Sequence, residues 1–464
     1  MTNMRRLNVL LVKPFKATDE VLPPLGLGYL ATTIRNRHDV SIIDGIKTKM
    51  TPEKFKEILK EKTYDIVGIQ CYSYDMLLVR DMVRLIKEVS PGTVTVVGGP
   101  HPSADTQSVF TGIGADFGFK GESELGFQML VDRVAGEDIK LEDIPSLIWK
   151  DNGEIKVNQQ KFIENLDDLK HPSWDLLEPH TYPEAPHGSF FRRPPTAPIF
   201  GTRGCPFQCS FCAGFLVSGR KIRYRSIKSI VDEIEMLHKT YGINEIHIED
   251  DNFTLKRQFV VDFCNELKAR GLDIAWTCPN GVRLDTLDEE LIELMKKSGL
   301  YALSVGIESG SERILQDMRK SLTKQKVREK LKMLDKAGLD MVGFFIIGYP
   351  GETEQTINET INFACELPLK RASFMIFKPF PGTEATRKIM TELNQETLDW
   401  DKFGLHQVVY APKGMTQERV KQLRQKALIR FYFRPRIILS FFSSLKSFSQ
   451  SKYVFKRAFK WLVK

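Results

Sequence analysis

Twice along this chain, short runs of Val, Ile and Leu alternate with amphipathic stretches, and this repeated strand–helix rhythm constrains the fold more than any other feature. In the first series Asn8–Val12, Val40–Asp44, Asp65–Gln70 and Val94–Gly98 read as strands, and Leu25–Arg37, Pro52–Lys62 and Met76–Val89 as helices. Strands that are apolar almost throughout and separated by helices belong to a parallel sheet buried on both faces. Residues 1–140 are therefore expected to form a doubly wound α/β domain, a fold that binds ligands at the carboxyl ends of its strands.

Residues 172–198 hold seven of the 23 prolines, which continue neither a helix nor a central strand, so 141–194 read as a linker with a small hairpin near Pro145–Trp149. The second series has candidate strands Ala197–Thr202, Glu245–Glu249, Ile274–Pro279, Ala302–Ile307, Met341–Ile347 and Arg371–Phe377. Helices are expected at Ile227–Thr240, Lys256–Arg270, Asp288–Lys297, Thr323–Ala337 and Glu354–Leu367. Six such units fit a partial (β/α)6 barrel over 195–405, because a closed eight-unit barrel takes about 250 residues.

Charge divides the chain unevenly. Residues 415–464 carry 13 Lys/Arg against the single acid Glu418, a charge of +12, so the remaining 414 residues sum to −4 and are slightly acidic. The tail, 406–464, reads as basic and helical. Its last stretch sets Phe455, Phe459, Leu462 and Val463 on one face with Lys456, Arg457, Lys460 and Lys464 around it. That pattern suits an anionic membrane surface and equally a helix packed on the barrel. No recognised RNA-binding module accompanies it, so no nucleic-acid partner is expected. The seven cysteines are odd in number and scattered, Arg5-Arg6 precede only a short apolar run, and no segment approaches the roughly 18 apolar residues of a membrane span. A cytoplasmic protein, peripheral on the inner membrane face if the tail binds lipid, is the expectation.

The chemistry is carried by Cys205-Pro206-Phe207-Gln208-Cys209-Ser210-Phe211-Cys212, directly after the first strand of the second series. Three thiolates within eight residues select iron–sulfur or zinc. A structural zinc wants a fourth ligand, and the next candidates, His238 and Cys264, are distant in sequence. A [4Fe–4S] cluster held by three cysteines leaves one iron open to a small molecule. Cys71, Cys264, Cys278 and Cys365 have no cluster spacing and read as buried apolar residues.

The C-x3-C-x2-C loop resembles that of the radical S-adenosylmethionine (SAM) superfamily, over roughly residues 195–385. The resemblance implies that Cys205, Cys209 and Cys212 ligate the cluster, that the open iron chelates the methionine end of SAM, and that one electron cleaves the sulfonium to a 5′-deoxyadenosyl radical. It implies SAM contacts at Phe211, at the acidic strand end Glu249-Asp250-Asp251, at Glu308 and Ser309, and in the turn containing Gly348, Pro350 and Gly351. Tyr349, Tyr301 and Asn280–Arg283 are candidates to face substrate.

The first series resembles the cobalamin-binding domain of one subgroup of that superfamily. The positions so implied are Pro24, Gly26, Gly28, Ser73, Gly98, Gly99, His101 and Glu122. The stretch Lys13–Gly28 contains no histidine, so cobalamin is expected without a histidine ligand. Residues 1–195 contain only Cys71, unlike the three-cysteine domain of the methylthiotransferases. The subgroup implies C-methylation of an unactivated carbon in a hydrophobic small molecule, with a flavodoxin or ferredoxin as reductant. The alternative is an anaerobic oxidative cyclase, or another non-methylating enzyme, acting on a tetrapyrrole or lipid. A non-catalytic iron–sulfur electron carrier would leave the acidic and glycine-rich strand ends without a purpose.

Overall fold

The computed structural model describes residues 4–15, 21–183, 191–394, 400, 403–404 and 407–444. Seven strands form the first sheet: β1 (Asn8–Lys13), β2 (Asp39–Asp44), β3 (Ile66–Gln70), β4 (Val94–Gly98), β5 (Phe117–Phe119), β6 (Leu147–Asp151) and β7 (Glu154–Val157). Their order is β2-β1-β3-β4-β5-β6-β7, parallel through β5 and antiparallel beyond. Side-chain alternation along β1 explains the burial on both faces. Leu10 and Val12 join Phe55, Val79 and Ile86 on one side, while Val9 and Leu11 join Ala31, Phe127 and Leu130 on the other. The order reverses between β1 and β3, opening a crevice outside their carboxyl ends.

The hairpin β6–β7 extends the first sheet, so the stretch read as a linker contributes its two outer strands. The hairpin expected near 145–149 is present but longer, and the first sheet runs on to Val157, past residue 140.

The second sheet comprises β8 (Thr196–Ile199), β11 (Glu245–Ile248), β12 (Ala275–Val282), β13 (Leu300–Glu308), β14 (Asp340–Ile347) and β15 (Arg371–Ile376). All six are parallel and lie in chain order, and the edge strands β8 and β15 do not pair. This is the open (β/α)6 arrangement expected from the sequence. Between β8 and β11, β9 (Thr202–Arg203) and β10 (Arg223–Tyr224) form a two-stranded antiparallel ribbon. Helices around the sheet start at side-chain caps: Ser226, Asp288, Thr323 and Thr353 each accept from a backbone N–H one turn ahead.

The helix Gln417–Tyr432 buries Val420, Leu423, Ala427 and Phe431 on the barrel. Its basic side chains serve the same packing: Arg419 makes a two-pronged pair with Glu354, each bond 2.7 Å, and Lys426 and Arg430 donate to Asn358 and Asn362. This part of the tail is thus a barrel helix. The amphipathic stretch around Phe455 to Val463 lies outside the described residues. Among the described residues, no helix is long and apolar enough to cross a membrane.

Candidate active site

The ribbon β9–β10 is the neck of a loop that carries all three motif cysteines. Gly204 enters it at φ +99°, where a Cβ would stand 2.3 Å from the Lys221 carbonyl oxygen, so only glycine fits. The Cys205 N–H donates to the Gly219 carbonyl (3.1 Å) and closes the neck. Farther along, Ser210 anchors the loop across the barrel: its N–H donates to the Met318 carbonyl, and its hydroxyl meets the Tyr349 hydroxyl at 2.8 Å. Phe211 packs against the cluster of Ile314, Met318, Tyr349 and Phe377.

Cys205 and Cys209 are half-buried, Cys212 is exposed, and all three are free thiols. Desolvation raises the Cys205 pKa, and the negative fields of Asp251 and Cys209 add to it. Among the described residues no three His, Cys, Asp or Glu side chains converge on a single metal ion. A cuboidal cluster needs a looser arrangement, one thiolate per iron, and soft unpaired thiols on one loop fit it. Beside Cys209 and Cys212 lies a cavity of about 190 Å³ lined by Arg220, Arg319, Arg387 and Glu384, the last paired to Arg319 at 2.9 Å.

The acidic strand end divides by role. Asp250 is 2% exposed and turned inward; it accepts from the Gly201 N–H and the Thr202 hydroxyl, both at 2.7 Å, and burial raises its pKa to about 7. It ties the end of β11 to Gly201 and to Thr202 at the start of β9, so its carboxylate is turned into the fold, which corrects the expectation for it. Asp251 is open to solvent beside the cysteine loop: a Cβ on Gly214 would be 3.6 Å from both Asp251 Oδ1 and Cys212 Sγ. The surrounding walls nevertheless desolvate its carboxyl and raise the pKa. Glu249 is half-buried, and its carbonyl accepts from Asn280. Asn252, 1% exposed at the same strand end, has neither side-chain atom hydrogen-bonded, the kind of unsatisfied group that a ligand or ordered water completes.

Glu308, at the end of β13, adopts φ +68°, a left-handed conformation uncommon for a non-glycine residue and concentrated at functional sites. Its carboxylate accepts from Lys320 Nζ at 2.8 Å, with both side chains nearly buried. Burial lowers the Lys320 pKa less than the carboxylate and the nearby Cys209 raise it, so the ammonium persists. Next to it the Arg283 guanidinium lies 3.7 Å from the Phe207 ring centroid. Lys320 escaped the sequence reading because it lies in no motif with a fixed spacing, whereas Asn252 directly follows the acidic strand end Glu249-Asp250-Asp251, a position that could have signalled it.

Ser309 turns away from the site; its hydroxyl meets Thr360 at 3.1 Å in the helix Glu354–Glu366. In the turn after β14, Gly348 and Gly351 take φ of +85° and +81°, and Pro350 is half-buried. The Gly348 and Tyr349 N–H groups are consumed by Glu352 Oε2, at 2.7 and 3.0 Å. Tyr349 is buried, and Tyr301 lies at the opposite end of its strand, donating to Glu245 Oε1 at 2.6 Å. Both tyrosine side chains are buried.

Burial pushes the Glu352 carboxyl from 4.5 up to about 8, and its Oε1 has no partner. An acid whose pKa is raised by folding keeps its proton in the native state while the unfolded chain loses it. Its contribution therefore declines as pH rises from about 4.5 to about 8, on the order of 1.4 kcal/mol per pH unit at its steepest. Chemical denaturation of Glu352→Gln is expected to match wild type at about pH 4, below the unfolded pKa, and to exceed it in stability at about pH 9.

In the first domain, Gly26 in the first turn of the helix Leu25–Ile34 and Gly98 at the end of β4 face open space, with no atom within 4 Å of a would-be Cβ. Gly99, at φ +110°, lies 3.1 Å from the Cys71 carbonyl by the same measure. Pro24 starts the helix Leu25–Ile34. His101 is fully buried, its Nδ1 3.2 Å from the Ser73 hydroxyl and its Nε2 3.0 Å from that of Ser108, and burial lowers its pKa to about 4. Trp400 covers it edge-on, ring centroids 4.7 Å apart.

Two positions are corrected here. A Cβ on Gly28 would meet Leu177 Cδ1 at 2.7 Å and Pro172 at 2.9 Å, so this glycine admits the following segment. Glu122 is spent on Arg223, to which both its oxygens bond at 2.6 and 2.7 Å. The two domains meet at their strand ends: the helix Gly214–Ser218 behind Cys212 packs on Pro100–Ala104, behind β4.

The matching family models divide the chain as the two sheets do: the B12 binding domain matches residues 17–131, and the radical SAM superfamily 199–364. An uncharacterized methyltransferase of Pyrococcus horikoshii is 34% identical over 95% of this chain and 94% of its own. The chain belongs to the radical SAM superfamily, in the branch with a B12-binding domain. It is a radical SAM enzyme. The anaerobic magnesium-protoporphyrin IX monomethyl ester cyclase of Cereibacter sphaeroides is 26% identical over 89% of this chain and 67% of its own. Among solved structures, the radical SAM methyltransferase TsrM from Kitasatospora setae, with cobalamin and a [4Fe-4S] cluster bound, superposes with a TM-score of 0.71. It is 18% identical, over 93% of this chain and 86% of that one.

Proposed function

We propose that this radical SAM enzyme is a cobalamin-dependent methyltransferase acting on an unactivated carbon of a hydrophobic small molecule. The observation that carries the reading is the juxtaposition of the two strand-end grooves, with the helix behind Cys212 packed on the turn behind β4. A [4Fe–4S] cluster would supply the electron that cleaves SAM, and cobalamin would supply the methyl group. Cys205, Cys209 and Cys212 are the ligand set. Asp251 and Glu249 stand where carboxylates can accept from an ammonium, and Lys320, held by Glu308, where an ammonium can meet a carboxylate. The glycine turn at Gly348–Gly351 brings its backbone close at the neighbouring strand end, with both glycines at positive φ. Arg220 and Arg387, at the cavity beside Cys209 where Arg319 is already paired with Glu384, suit an anionic electron donor such as a flavodoxin or ferredoxin.

In the first domain, Ser73, Gly26, Gly98 and Gly99 border the crevice proposed for cobalamin. His101 has both ring nitrogens engaged by serine hydroxyls, so it is a spacer rather than a cobalt ligand. The EPR spectrum of bound cob(II)alamin is expected to lack nitrogen splitting from a protein imidazole and to stay unchanged in His101→Ala.

Anaerobic incubation of the reconstituted protein with cobalamin, SAM and dithionite tests the reaction. Cobalamin-dependent S-adenosylhomocysteine alongside 5′-deoxyadenosine supports methyl transfer. 5′-Deoxyadenosine alone supports the cyclase-type reaction named in the Cereibacter relative. Neither product, from protein that holds its cluster, overturns the reading.

A further inference from the structure

The neck of the cysteine loop is fastened to the first domain by buried charge. Arg203 and Arg223 face each other across the β9–β10 ribbon, one entering the loop two residues before Cys205 and the other leaving it. Opposite them, at the turn after β5, stand Glu122 and Glu124. Arg223 meets Glu122 through two bonds of 2.6 and 2.7 Å, and Arg203 meets Glu124 at 2.7 Å and Glu122 at 3.6 Å. Side-chain exposure is between 3% and 12% for all four. Arg223 also donates to the carbonyls of Ile163 and Ser218, at 2.8 and 2.7 Å, so one guanidinium joins the first domain, the connecting segment and the helix behind Cys212. The fixed planar fork of arginine makes such contacts directional, which a lysine could not reproduce.

We propose that Glu122, Glu124, Arg203 and Arg223 form an inter-domain clamp, a set of positioning residues that holds the cysteine loop at a fixed distance from the β4–β5 end of the first domain. Buried ion pairs are poor sources of net stability but strongly favour one arrangement over others, because displacement leaves desolvated charges without partners. A loop that places one reacting group opposite another needs this property. None of the four side chains then touches a cofactor; they act through the loop. The functional part rests on the methyltransferase reading, whereas the mechanical part does not.

Hydrogen exchange on the full-length protein without cofactors tests the mechanical part. Glu122→Gln is expected to speed exchange in residues 204–222 by at least about tenfold while β11–β14 change less than about twofold. Glu124→Gln, which breaks one contact, is the milder variant should the first fail to fold. Glu164→Gln, which removes an exposed pair with Lys221 close by, is the control and is expected to change nothing. In reconstituted protein, Glu122→Gln is expected to retain iron and cobalamin while altering the magnetic broadening of the cob(II)alamin EPR signal by the reduced cluster, which reports their separation. Unchanged loop exchange in both variants overturns the clamp. Acceleration spread equally over both sheets also overturns it, by showing a general stabilising role. Failure of wild type to bind cobalamin would count against the proposed function while leaving the exchange result intact.

Discussion

Replacing Cys209 with alanine is expected to abolish reductive cleavage of SAM, lowering 5′-deoxyadenosine formation by at least about 1,000-fold, or about 4 kcal/mol of barrier. The size of the effect follows from ligand arithmetic: two thiolates cannot keep a cuboidal cluster that three hold with one iron open. The fold should be little affected, since Cys209 is half-buried on a loop whose anchors are the backbone and hydroxyl of Ser210. Cys264→Ala provides the contrast. That thiol is buried in the barrel core, so its loss is expected to cost about 1 kcal/mol of stability and leave cleavage intact. Mass spectrometry of the nucleoside product, with iron analysis and a denaturation curve on each variant, checks both. Cleavage at the wild-type rate in Cys209→Ala would remove the loop from the chemistry.

The second large effect concerns Glu308 and Lys320. Their side chains are 8% and 13% exposed and 2.8 Å apart, so removing either charge strands the other away from water. Glu308→Gln and Lys320→Met are each expected to cost about 3 kcal/mol of unfolding free energy, the range found for broken buried pairs. The double variant is expected to recover at least about 1 kcal/mol relative to the sum of the single ones, because no unpaired charge remains. Both single variants are also expected to weaken SAM binding, read by isothermal titration on cluster-loaded protein. Additive stability losses would show that the pair is not coupled.

Much of the architecture was legible because it is written in local periodicity. β4 and the helix Met76–Val89 fall where the apolar pattern set them, and the second series contains its six parallel strands in the expected order. Strand β5 was missed: three residues are too short for any period to register. The hairpin β6–β7 was underestimated because its strands are half-polar, as befits the outer edge of a sheet. The basic composition of the tail left a membrane surface and the barrel equally open, because the acidic and amide residues that Gln417–Tyr432 pairs with lie on a different helix, far away in sequence.

The site shows the same division. The spacing of three cysteines and the glycines at strand ends are properties of a few adjacent residues, and the sequence by itself was enough to locate them. Where each side chain goes was decided only by the tertiary structure. Glu122, read beside a cofactor, meets Arg223 across 101 residues of chain; Gly28 admits Leu177; Ser309 turns to Thr360; and Lys320, in no motif at all, stands with Glu308 by the cysteine loop. The physical reason is that backbone periodicity is set by neighbours along the chain, whereas a buried charge or hydroxyl goes wherever packing brings a partner that repays its desolvation.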